Sequence, residues 1–144
     1  MADLPPLMRD QRKADEDHLR LLSIFHFVCA GLAVLGIGFL ALHYLVFHAF
    51  LANPEIWKNQ KGSVPPPREF FALFKWFYVI FGVWLVASGV ANLLSGLFIG
   101  RRKYRVFSLV VAGINCIHVP FGTVLGVFTF IVLLRPSVRE VYEA

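Results

Sequence analysis

Histidine is the one residue type in this chain whose placement invites chemistry. His43 and His48 fall near the outer end of a long apolar run, and His118 falls beside Pro120 within another. Two imidazoles from different helices can ligate a b-type haem or a metal inside a helical bundle, which makes His43 and His118 the candidate pair. No further ligand accompanies them, and the segment carrying His118 is expected to sit lower in the membrane than His43. Polar caps are therefore the expected role of both, with no cofactor bound. Asp15, Asp17 and His18 occupy adjacent turns, but two carboxylates and one imidazole do not make a metal cage; a solvated helical lead-in accounts for them. His26, inside the first apolar run, needs an amide or carbonyl partner if it faces the interior.

The missing chemistry is equally informative. No Asp or Glu occurs between His18 and Pro54, or between Phe70 and Arg139. Cation-coupled transporters usually carry a membrane-embedded carboxylate, so that class is disfavoured. There is no G-x-S-x-G, H-E-x-x-H or phosphate loop, and the expectation is a protein that is not an enzyme. Cys29 and Cys116 lie in apolar segments without C-x-x-C or zinc spacing, and their pairing is open.

The elements that must position these residues are apolar helices. The 144 residues are 58% hydrophobic and only 16% charged, against about 25% charged in an ordinary soluble domain. The net charge of +5 comes from bases clustered at the ends of apolar runs, so the positive-inside rule explains it and a nucleic-acid partner is not expected. Residues 1–18 read as a polar tail that is not a signal peptide, since acids and bases alternate before any long apolar run. A first span is expected over 19–50, an outer loop stiffened by Pro65–Pro67 over 52–69, and a second span over 70–99.

Val106 to Leu134 is 29 residues without an acid or base. As one helix it would run about 43 Å, well beyond a hydrocarbon core of about 30 Å. A break at Pro120 gives instead a short helical hairpin, with Asn115 and His118 supplying polar groups at its turn. The fold expected is an all-α membrane protein of four transmembrane helices within 19–135, followed by a tail over 136–144. Lys and Arg are commonest in the N-terminal region and the turn over 101–105, so both termini are expected to be cytoplasmic.

Small residues supply the expected helix-packing sites. Gly82, Gly89 and Gly96 recur every seven residues with Asn92 beside them, while Gly122 and Gly126 form a G-x-x-x-G facing Ser108, Ala112 and Cys116. The aromatic block over 70–84 reads first as an interface belt, and alternatively as a lipid or quinone site.

Two stretches, DEDHLRLLSIFHF and RVFSLVVAGINCIHVPFGTVLGVFTFIVLLRPSVREVY, resemble a widespread group of small bacterial four-helix membrane proteins. The matching residues are Cys116, Pro120, Phe121, Gly122, Thr123, Leu125, Gly126, Arg135, Pro136 and Val138. The resemblance implies four helices in a bacterial cytoplasmic membrane and attaches no activity. The role expected is structural, accessory or assembly-related, with the lipid bilayer, another membrane protein or further copies of the chain as partners.

Overall fold

Proline placement sets the helix starts. The computed structural model describes residues 6–51, 53, 55 and 67–143, and its regular elements among these are all helical. They are α1 (Pro6–Leu51), α2 (Arg68–Gly100), α3 (Arg105–Asn115), α4 (Phe121–Leu133) and α5 (Pro136–Glu143). Pro6 and Pro136 are the first residues of their helices, Pro67 precedes α2 and Pro120 is the N-cap of α4. Such positions cost nothing, because the missing N–H has no intrahelical acceptor there. Most of the expected outer loop over 52–69, and the first residues of the N-terminal tail, lie outside the described residues.

Two helices are long and apolar enough to cross a membrane, over Asp10–Leu51 and Glu69–Gly100. α3 and α4, at 11 and 13 residues, are about 17 and 20 Å long, well short of a bilayer's apolar thickness. Between them, residues 116–120 turn the chain. The Asn115 side chain does not serve this turn: its amide is engaged elsewhere, and the Thr123 hydroxyl donates to the Cys116 carbonyl at 2.9 Å instead. Backbone donors complete the reversal, His118 N–H to Asn115 O at 2.9 Å and Gly122 N–H to His118 O at 2.8 Å.

The chain divides into two compact units. One joins α1 through Gly31 to the residues from Val90 onward, and the other is Leu32–Gly89. The first unit has a core of Leu19, Leu22, Ile99, Leu125, Val132, Leu133 and Val138. Within it, α3 and α4 touch backbone to backbone. A Cβ on Gly126 would lie 2.5 Å from both the Ala112 carbonyl oxygen and Cys116 Sγ, and one on Gly122 would collide with the Asn115 carbonyl. At Arg135-Pro136 the chain bends by 79° into α5.

Gly126→Ala is expected to destabilise the protein by about 1–3 kcal/mol, since backbone must move to admit a methyl group. Gly31, with nothing within 4 Å of its would-be Cβ, is the control; Gly31→Ala should be neutral or stabilising by up to about 1 kcal/mol. Thermal melts of both variants in one detergent check this. Equal melts would mean that the α3–α4 contact yields without cost.

Candidate functional site

The first unit holds a buried polar centre made of neutral groups. Asn92 on α2 and Asn115 at the end of α3 exchange two hydrogen bonds, Asn92 Nδ2 to Asn115 Oδ1 at 3.1 Å and Asn115 Nδ2 to Asn92 Oδ1 at 2.8 Å. An amide inside an apolar bundle must find a partner, and a reciprocal pair satisfies two amides at once. The Ser23 hydroxyl on α1 donates to the Gly96 carbonyl at 2.7 Å. The helices approach closely at this point: a Cβ on Gly96 would sit 3.0 Å from the Phe27 ring and 3.1 Å from the Ser23 carbonyl oxygen, so its neighbours would have to give by a few tenths of an ångström.

His26, Ser95 and Ser108 are also fully buried. Among the described residues, neither His26 ring nitrogen nor either serine hydroxyl has a hydrogen-bond partner. With no hydrogen bond joining His26 to either serine, the set lacks the nucleophile–base contact that activates a hydroxyl.

Charge gathers at one end of this unit. Asp15, expected on a solvated face of α1, is buried: its carboxylate accepts from Arg135 Nη1 at 3.1 Å and from the Ser137 hydroxyl at 2.6 Å. His18 Nδ1 lies 3.5 Å from the same guanidinium, and its ring meets Phe128 edge-on at 5.9 Å. Beside this clasp, Arg102 pairs with Glu16 at 3.1 Å, both exposed. Arg105 Nε donates to the Leu133 carbonyl at 2.7 Å, joining the start of α3 to the end of α4. Asp15 and Arg135 thus meet in space, although they are 120 positions apart.

The second unit carries an aromatic cluster. His43 Nδ1 and the Tyr78 hydroxyl lie 2.6 Å apart, with Phe47 stacked on the imidazole at 6.0 Å. Phe47 meets Phe74 at 5.0 Å, and Tyr44 meets Tyr78 edge-on at 5.2 Å. Beside them is a groove of about 370 Å³ lined by Tyr44, Phe47, His48, Phe74, Lys75 and Tyr78, among others.

The two histidines paired as candidates from sequence fall in different units. His43 belongs to the second unit and pairs with a tyrosine, whereas His118 lies in the α3–α4 turn of the first. Among the described residues, no group of three or more His, Cys, Asp or Glu side chains is placed to hold a metal ion. The glycines also separate. Gly96, Gly122 and Gly126 are close-approach positions, Gly82 makes an ordinary 3.6 Å contact with Leu40, and Gly89 is half-buried. Cys29 and Cys116 are free thiols. Comparison with protein-family models, curated proteins and solved structures found no match.

Removing Asp15 strands a guanidinium and a hydroxyl, so Asp15→Ala should cost about 2 kcal/mol, less than a fully buried pair because Arg135 is partly solvated. Arg135→Ala should cost about as much. If the clasp is one interaction, the double variant is less destabilised than the sum of the singles. Additive losses in denaturation midpoints would show the two residues acting independently.

Proposed function

We propose that this chain is a non-enzymatic multi-pass protein of a bacterial cytoplasmic membrane, serving as an accessory or assembly partner of another membrane protein or of further copies of itself. The apolar surface of Leu32–Gly89 carries this reading. Among the described residues of that unit only Ala33 is buried, while Leu35, Phe39, Leu73, Ile80 and Val83 are each at least 65% exposed. The span over Glu69–Gly100 is 32 residues, or about 48 Å of helix, against about 30 Å of hydrocarbon. Fitting that length by tilt alone takes about 50°, outside the usual range of about 0–40°. Some of the aromatic surface therefore extends past the acyl chains, where contact with protein removes it from water.

A second reading is lipid or quinone binding at the aromatic block over 70–84, favoured by the groove beside Phe74, Lys75 and Tyr78. Haem or metal binding on His43 and His118 has no comparable support: the Tyr78 hydroxyl at His43 Nδ1 leaves Nε2 as the ligating atom, and among the described residues no set of three or more metal-binding side chains accompanies it.

The topology proposed has four membrane helices with both termini cytoplasmic. The Arg105–Leu133 bond supports it by putting the bases before α3 at the same end as those after α4. Reporters fused to the C-terminus should read cytoplasmic, and a periplasmic signal would remove the hairpin topology.

Purification through a tag from native membranes in mild detergent should yield a stoichiometric membrane-protein partner or a defined homo-oligomer. A monomer without protein partners would overturn the accessory role; a retained small molecule in that sample would move the assignment to the aromatic groove.

A further inference from the structure

A second groove, of about 390 Å³, lies at the charged end of the first unit, lined by Tyr104, Arg105, Val106, Phe107, Arg139 and Tyr142. We propose that it binds the headgroup of an anionic phospholipid, with the phosphate at the guanidinium of Arg105 and the Tyr142 hydroxyl, and an acyl chain along Val106 and Val110.

The groove's polar groups are set for a phosphate. Arg105 is half-buried, and its Nε is taken by the Leu133 carbonyl at 2.7 Å, which fixes the guanidinium plane. Its terminal nitrogens remain as donors, and a planar guanidinium matches a phosphate through parallel N–H bonds. The Tyr142 oxygen is buried without a hydrogen-bond partner. Burial pushes that hydroxyl up to about 12 despite the opposing pull of Arg105 and Arg102, so it stays a neutral donor at physiological pH. The first turn of α3 opens onto the same groove without a side-chain cap, adding its N–H groups and the positive end of the helix dipole.

The surrounding charge favours an anion. Arg102 and Arg135 are matched by Glu16 and Asp15. The lining of the groove itself carries two further guanidinium groups, Arg105 and Arg139. The occupant is a lipid and not a soluble phosphate because the groove continues into apolar surface. Val106 is 72% exposed and Val110 58%, one turn apart on α3, and Tyr104 is 67% exposed at the mouth. A charged pocket opening onto an apolar helix face is the form expected of headgroup sites at the basic side of membrane proteins. This inference rests on reading the chain as an integral membrane protein, but on no protein partner.

The test uses the full chain in nanodiscs or detergent with defined phosphatidylglycerol and phosphatidylcholine, read by native mass spectrometry. Wild-type protein should retain one phosphatidylglycerol at least about fivefold more often than phosphatidylcholine, and millimolar inorganic phosphate should not displace it. The Arg139→Gln/Tyr142→Phe variant, which spares the Arg105–Leu133 bond, should bring the preference to about onefold with its melting temperature retained. Equal retention of the two lipids by wild type would overturn the proposal without any variant. So would displacement by inorganic phosphate, or undiminished preference in a folded variant. A missing protein partner in the membrane purification would leave it untouched.

Discussion

The contact on which the first unit depends is the near absence of side chain between α3 and α4. Gly122 and Gly126 bring α4 onto the carbonyls of Asn115 and Ala112, too close for a methyl group. In lipid, helices gain little from hiding apolar surface from one another, so association relies on packing at short range and on hydrogen bonds that hydrocarbon cannot replace. The glycines supply the first. Asn115 at the end of α3 supplies the second, and its reciprocal bond with Asn92 ties the short hairpin to α2.

The charged end follows a related logic. A carboxylate as buried as Asp15 requires compensation, and it receives a guanidinium and a hydroxyl from the segment where the chain bends at Arg135-Pro136. The bend itself follows from Pro136, which cannot continue α4. Arg135 has two uses here: it belongs to the basic group flanking the last apolar helix, and it anchors α1 to the α4–α5 junction. Arg105 is similar, since it flanks α3 while its Nε donates to the Leu133 carbonyl at the end of α4.

Much of the helical framework is legible in the sequence, because prolines and unbroken apolar runs act locally. The turn at Pro120 and the long α1 and α2 need only those signals. The side-chain pairings are not legible in the same way. Asp15 reads as a solvated residue because its neighbours Glu16 and Asp17 are solvated, and nothing within a turn of it announces a partner 120 positions away. The seven-residue repeat of Gly82, Gly89 and Gly96 gives three positions equal weight, yet spacing cannot say what stands opposite each. Phe27 and Ser23 crowd Gly96, whereas a Leu40 methyl leaves Gly82 in ordinary contact. His43 likewise reads as a free imidazole until Tyr78, 35 positions on, is seen beside it.

The two units differ in what satisfies their surfaces. The first unit covers its own core and pairs Asp15, Ser23, Asn92 and Asn115 within it, which makes its stability a matter of internal contacts that single substitutions can probe. The second presents apolar and aromatic side chains outward along nearly all of its described length, and its internal contacts are mainly ring against ring. Hydrocarbon can solvate such a surface only where the bilayer reaches it. For any ring outside hydrocarbon the alternative is water, and there the hydrophobic effect that is weak between helices in lipid returns at full strength. The first unit, by contrast, is held at its charged end by fit and pairing.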